Sequence, residues 1–329
     1  MSFAEIIMNP GSNQASLSWS SEEANQLLNG DVSAAAYSEN EPSPQGSTKV
    51  STSIRSASGI TLSAPAKTVQ IFDTSGYSHQ PSVNARAALV MDGQTGEVLY
   101  SKNSNTAFPI ASITKLMTAV VIADARLNMS ENITLQQIDF AGAGGKNSSS
   151  TLRAGDSMNR AEALLFALMK SENPAAAALA RTYPGGRAAF VAAMNAKAKA
   201  LGMNSSRYVE SSGLDPRNVS SARDLGILVN SAAQYGLIRQ FSTTPSYDFN
   251  LGYRVLKSNN TNALVRNGGW NINISKTGYI NEAGRCVVMH TTLNNRPAVV
   301  VLLGADTSAA RTSDATRLMT WVTQLPKRI

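Results

Sequence analysis

Apolar and polar positions divide the chain into three textures. Residues 13–82 are rich in Ser, Ala, Thr and Pro and show little periodicity beyond a strand-like TVQIF at 68–72, which predicts an extended tail or linker. Alternation begins at residue 85: ARAALVMDGQTGEVLYSK sets two strand-like runs around a Gly-containing turn and predicts a hairpin, placing the folded domain at 83–329. In PIASITKLMTAVVIADARL, from 109 to 127, Ile113, Leu116, Met117, Val120 and Val121 recur at the spacing of one buried helical face. Four helical segments follow between 160 and 236, RAEALLFALMK, PAAAALARTY, GRAAFVAAMNAKAKALG and SARDLGILVNSAAQYG, with caps or stops such as Gly202 and Ser221. Strands then return as YRVLKS, WNINISKTG, RCVVMHTTL and PAVVVLLGA, the last two joined by NNR, before an amphipathic helix from about Ser313. Strands at both ends of the domain around a helical middle predict an α/β (α+β) architecture. One antiparallel sheet is assembled from distant segments, a helical subdomain of about 112–240 is inserted into it, and a cleft between the two is the natural site.

Composition narrows the function classes. With 329 residues and 43% hydrophobic content, the chain can bury a substantial core. The net charge of +7 comes from scattered basic residues, with neither an arginine-rich run nor an aromatic stacking motif, which excludes nucleic acid as the expected partner. A basic surface suits an anionic polymer, or is simply well solvated. The single cysteine, Cys286, allows no intramolecular disulfide and leaves the redox compartment open. No run of about 18 apolar residues predicts a transmembrane segment. The opening MSFAEIIMNPGSNQ lacks the pattern of a signal peptide, and residues 1–12 read as an expression leader standing in place of a native signal.

Candidate chemistry starts from the scarcity of histidine. His79 falls in the tail and His290 in a strand-like run, so a Ser-His-Asp triad has little support. Cys286 and His290 stand four apart in one strand, roughly 13 Å, too far for a Cys-His pair. No His-Glu-x-x-His metal set occurs. The base available to a serine is therefore lysine, and Ser-x-x-Lys occurs once, as Ser112 and Lys115 at the start of a helix. A hydroxyl and an amine at i and i+3 share a face, near N–H groups that favour developing negative charge. A capped helix start with a solvated lysine has the same spelling. Lys276-Thr277-Gly278 also occurs once, ending a strand-like run. It groups a cation, a hydroxyl and a residue without a side chain, as a strand edge that binds a peptide carboxylate requires. Ser-Glu-Asn occurs at Ser38, Ser130 and Ser171; Ser171 stands in the joint between two buried helices, with Asn173 before Pro174 also fitting an N-cap.

In the order Ser-x-x-Lys, Ser-x-Asn, Lys-Thr-Gly, these motifs resemble those of the penicillin-recognising serine enzymes. The wording PIASITKLMTA, LMKSENPAAAALA, YVESSGLDPRNVSSARDL and GWNINISKTGYINEAGRC is similar to that of the low-molecular-mass penicillin-binding proteins, in particular the D-alanyl-D-alanine endopeptidases of the penicillin-binding protein seven type, from about Ala85 to the C-terminus. The resemblance implies a serine β-lactamase/DD-peptidase-like fold. It also implies that Ser112 attacks a D-alanyl carbonyl with Lys115 as base, Ser171 relays a proton to the leaving amine, and Asn173 holds the substrate amide and Lys115. Lys276 and Thr277 would bind the substrate carboxylate, Gly278 would let substrate approach, and the N–H groups of Ser112 and Tyr279 would form the oxyanion hole. A free lysine near 10.4 must fall by several units for this role, and burial and Lys276 are both expected to push it down. No metal or organic cofactor is needed. The implied partners are peptidoglycan stem peptides and β-lactam antibiotics as covalent inhibitors, and the implied location is the periplasm of a Gram-negative bacterium. A class A β-lactamase would need a water-activating glutamate in a Glu-x-x-Leu-Asn setting, and Glu210, in ESSGL, is the only glutamate between Pro174 and Lys276. A carboxypeptidase of the same family, or a penicillin-sensing or peptidoglycan-binding domain that does not turn over, would carry the same three motifs.

Overall fold

The apolar alternation at the start of the domain folds as expected into a hairpin, β1 (Ala87–Asp92) and β2 (Val98–Lys102). In the computed structural model, which describes residues 80–142 and 150–326, this hairpin forms one edge of a five-stranded antiparallel sheet. The other three strands come from the far end of the chain: β9 (Asn271–Ile280), β10 (Gly284–Leu293) and β11 (Arg296–Ala305), in the order β2-β1-β11-β10-β9. The leader expected at 1–12 and nearly all of the tail expected at 13–82, with the 68–72 strand and His79, lie outside the described residues.

The long apolar run of β11 is explained by burial on both faces. Val299, Val301 and Leu303 join Leu89 and Val288 in a core shared with the helical layer, whereas Ala298, Val300 and Leu302 join Val90, Val287 and Met289 in a second core. That second core is closed by α8 (Ser308–Gln324) through Ala315, Leu318, Met319 and Val322. The final helix thus begins five residues before the expected Ser313. Thr307 caps it by accepting the N–H of Ala310, and its first turns, SAARTS, are small and polar and carry no apolar period.

In chain order the helical layer comes between the β1-β2 hairpin and strands β9–β11. Its central helix, α1 (Thr114–Ala125), is buried on every side from Thr114 to Ala123, not along one face only. A two-strand ladder of β4 (Asn132–Thr134) and β5 (Ser157–Asn159) precedes α2 (Arg160–Leu165), which starts with an Asn159/Glu162 capping box and widens into a π-helical turn, Phe166–Lys170. The layer continues as α3 (Asn173–Arg181), α4 (Gly186–Ala200) and α5 (Ala222–Ala232). Ser221 caps α5 as its sequence indicates. Another two-strand ladder, β3 (Ala107–Pro109) with β6 (Val219–Ser221), pins the entry to α1. The apolar pattern leaves three elements unmarked: α6 (Gly236–Ser242), α7 (Ala263–Asn267) and the first strand of a separate hairpin, β7 (Ser246–Asn250) with β8 (Val255–Asn259).

Candidate active site

Ser112 stands in a single 3-10 turn, Ala111–Ile113, that leads straight into α1. Ala111 before it is fully buried and takes a left-handed conformation, φ 48°. Two glycines make room for this turn. A Cβ on Gly213, itself at φ 90°, would fall 1.8 Å from the Ala111 carbonyl oxygen, and one on Gly278 would fall 3.0 Å from the Ser112 nitrogen. The end of the Lys-Thr-Gly strand and the loop after Glu210 are therefore packed directly on the backbone that presents Ser112.

Lys115 lies in the first turn of α1 and is 0% exposed, which removes the reading of a solvated lysine. Its Nζ is 2.7 Å from Ser112 Oγ, 2.6 Å from Asn173 Oδ1 and 2.7 Å from the Ser212 carbonyl oxygen. The last two can only accept, so they occupy two of its hydrogens; a neutral amine then has its lone pair left for the Ser112 hydroxyl. Burial supplies that neutral form, pushing Lys115 down from 10.5 to about 7 against the opposing pull of Glu210 and Glu172. Lys276 was expected to be a second cause, but it is Lys276 whose proton affinity falls beside Lys115. Burial acts on it first, then the Lys115 and Arg311 charges, and together they hold it well below the usual lysine range.

Ser171 and Asn173 flank a carboxylate that anchors them. The π-helical turn ends at Ser171, also left-handed at φ 65°. The buried Glu172 accepts hydrogen bonds from the Ser150 hydroxyl and, at 2.7 Å, from the Thr151 hydroxyl. Asn173 is the first residue of α3 and caps nothing with its side chain, which faces Lys115. Lys276, 1% exposed, donates to Ser171 Oγ at 2.9 Å and to the Thr277 carbonyl at 3.0 Å. The tripeptide thus meets one lysine at each end. Thr277 Oγ1 donates to Thr261 Oγ1 at 2.6 Å, and Tyr279, 46% exposed, follows Gly278 on the open edge of β9. All eight residues singled out in the sequence therefore fall on three neighbouring segments. His290 Nδ1 lies 3.3 Å from Asn273 Nδ2, and Cys286 is buried, its thiol pushed up to about 11.

Residue-type reasoning misses the loop Glu210–Gly213. Glu210 Oε2 accepts from the Ser212 N–H and hydroxyl, both at 2.6 Å, and Oε1 accepts from the Gly213 N–H at 2.5 Å and from Asn218 Nδ2 at 2.9 Å. This carboxylate is occupied in shaping the loop whose Ser212 carbonyl holds Lys115, a different task from activating water. Among the described residues, no three His, Cys, Asp or Glu side chains gather as metal ligands would. No helix among them is long and apolar enough to cross a membrane.

Known proteins share this arrangement of elements. A D-alanyl-D-alanine endopeptidase of Pseudomonas aeruginosa is 45% identical over 277 residues, 82% of this chain and 85% of its own length. One of Escherichia coli is 45% identical over 246 residues, 74% of this chain and 78% of its own. The crystal structure of a Streptomyces DD-transpeptidase matches with a TM-score of 0.69 at 29% identity, covering 75% of this chain and 100% of that one. Residues 75–307 match the peptidase family described as D-alanyl-D-alanine carboxypeptidase, and with 45% identity to its relatives over most of its length the chain belongs to that family of serine DD-peptidases.

Proposed function

We propose that the protein is a D-alanyl-D-alanine endopeptidase that hydrolyses D-alanyl-meso-diaminopimelate crosslinks of peptidoglycan through an acyl-enzyme on Ser112. The observation that carries this reading is the buried Lys115 amine, 2.7 Å from Ser112 Oγ with its other two partners obligate acceptors. Ser112 Oγ attacks the D-alanyl carbonyl carbon as its proton passes to Lys115 Nζ. The N–H groups of Ser112 and Tyr279 receive the oxyanion, each donor contributing about 3 kcal/mol. The C–N bond then breaks as the Ser171 hydroxyl delivers its proton to the leaving amine and takes up the one that Lys115 had accepted, which returns Lys115 to its neutral form; Lys276 stands beside Ser171 at 2.9 Å. Water attacks the resulting ester as Lys115 takes its proton, and Lys115 returns that proton to Ser112 Oγ as the acyl C–O bond breaks. Asn173 orients the substrate amide, Lys276 and Thr277 hold the carboxylate on the leaving side, and Gly278, expected to let substrate approach, instead lets β9 pack on the backbone that presents Ser112. β-Lactams acylate the same serine.

Endopeptidase is favoured over carboxypeptidase because the two relatives described above carry the endopeptidase name. A wall substrate and the likeness to the Pseudomonas aeruginosa and Escherichia coli endopeptidases support a periplasmic location. Product analysis on a purified crosslinked dimer and on a monomeric pentapeptide is the test. The dimer should give the higher kcat/KM, and Ser112→Ala should abolish both turnover and the single drug mass added by penicillin. A tenfold preference for the pentapeptide would reverse the assignment to carboxypeptidase, and a drug label on another serine would overturn the mechanism.

A further inference from the structure

Side chains alternate along β9, so Lys276, Gly278 and Ile280 face the helical layer while Thr277 and Tyr279 face the other side of the sheet, about 7 Å apart along the strand. Arg285 of β10 pairs in register with Tyr279, and its guanidinium carbon stands 3.5 Å from the centre of the Tyr279 ring. Among the described residues this guanidinium has no hydrogen-bond partner, and its Nε is buried with none. It is thus a cation fixed in place by a ring, with its donors unused.

The surroundings add positive charge. Arg311 of α8 is 8% exposed, with Nη1 3.5 Å from the Cys286 carbonyl oxygen. Burial and the charges of Arg285 and Arg266 weaken its hold on its proton, and Arg311 in turn depresses Lys276. Three basic side chains, Lys276, Arg311 and Arg285, thus stand near one another at the end of the sheet that carries Thr277 and Tyr279. One substrate carboxylate, assigned above to Lys276 and Thr277, does not use them all.

We propose that Arg285, braced on Tyr279, is a specificity residue that binds a second carboxylate on the leaving side of the substrate. The inference rests on the endopeptidase reading, because a meso-diaminopimelate that ends its stem carries two free carboxylates at a separation that Thr277 and Tyr279 can bridge, whereas a leaving D-alanine carries one. Attraction between partly exposed charges of this kind weakens with salt.

The test compares two crosslinked dimers whose acceptor stem ends at meso-diaminopimelate and that differ only in whether that second carboxylate is free or amidated. Wild-type kcat/KM at low salt should favour the free acid at least fivefold, the ratio should fall to about one in Arg285→Gln, and Arg285→Lys should restore part of it. A purely structural role for Arg285 would lower both substrates together and leave the ratio intact, which overturns the proposal, as does a wild-type ratio near one. The two readings fail separately. If wild type cleaves neither dimer but cleaves monomeric peptides, the endopeptidase reading is refuted, and the same ratio is then measured on peptides ending in D-Ala-D-Glu or D-Ala-D-Gln. A preference for D-Glu lost in Arg285→Gln upholds the carboxylate site, and its absence overturns it.

Discussion

Lowering the pH through about 7 should disarm Ser112, because the proton that returns to Lys115 occupies the lone pair the hydroxyl needs. Moving the lysine from its ordinary 10.5 to about 7 corresponds to roughly 5 kcal/mol of preference for the neutral amine. At pH 7.5 the neutral form would then predominate, whereas an unperturbed lysine would be neutral in about one molecule in a thousand. The assay is the second-order rate of Ser112 acylation by penicillin between pH 5 and pH 9. It should fall about tenfold per pH unit below about 7 and level off above it. A limb near 10 would mean that burial does not neutralise Lys115, and a pH-independent rate would remove it as the base. His290, held below the usual imidazole range by burial, is the group that could mimic the acid limb, and His290→Asn should leave the profile unchanged. Stability follows the same proton. Because the folded pKa lies below the unfolded one, the unfolded chain binds more protons between about 7 and 10.5, so stability should rise with pH across that window. The urea midpoint should therefore climb from pH 7 to pH 9 in wild type and climb less in Lys115→Met.

Gly213→Ala sets a methyl group 1.8 Å from the Ala111 carbonyl oxygen at a φ that alanine resists, so it should cost about 3 kcal/mol or more in denaturant unfolding and slow acylation at least a hundredfold. Glu210→Gln turns an acceptor-only side chain into one that can accept at only one of its two ends, so either the Ser212 or the Gly213 N–H meets a donor. Unfolding measurements should show a loss of about 2–4 kcal/mol, and the acid limb of acylation should move to lower pH because a charge that raises Lys115 is gone. Lys276→Ala should lower peptide kcat/KM at least a hundredfold while thermal unfolding stays cooperative, and unchanged kinetics would remove the Lys-Thr-Gly strand from the site.

What could be read from residue types is what side chains contribute. Ser112, Lys115, Ser171 and Lys276 stand in short motifs whose spacing survives folding, and the two-faced burial of β11 is written in its unbroken apolar run. The third partner of Lys115 is a backbone carbonyl, that of Ser212, and any residue could supply it, so no motif marks it. Asn173 before Pro174 spells an N-cap, yet α3 begins at Asn173 itself and frees the side chain for Lys115. The depth of Lys115 was hidden as well. An apolar face at helical spacing does not reveal that α1 is enclosed on all sides, and that enclosure, not the neighbouring Lys276, lowers the lysine.

Least legible was the strain. Ala111 and Ser171 are ordinary L residues held in left-handed backbone, at a cost on the order of 1–3 kcal/mol each, and nothing in their types announces it. Each makes a turn that a relaxed residue would not. At Ala111 the chain leaves β3 and enters the helix within a few residues, so Ser112 stands at the entrance while Lys115 lies one turn deeper, and the close packing of Gly213 and Gly278 holds that turn in place. At Ser171 the wide turn of Phe166–Lys170 stops, with the Ser171 and Glu172 N–H groups both donating to the Phe166 carbonyl, and α3 starts two residues later. That break sends Ser171 Oγ to Lys276 and Asn173 Oδ1 to Lys115 from one tripeptide, which a continuous helix, rotating about 100° per residue, would spread around its surface. The strained residues thus fix the positions of the two lysines' partners before substrate arrives, and tightly packed neighbours keep that arrangement from relaxing.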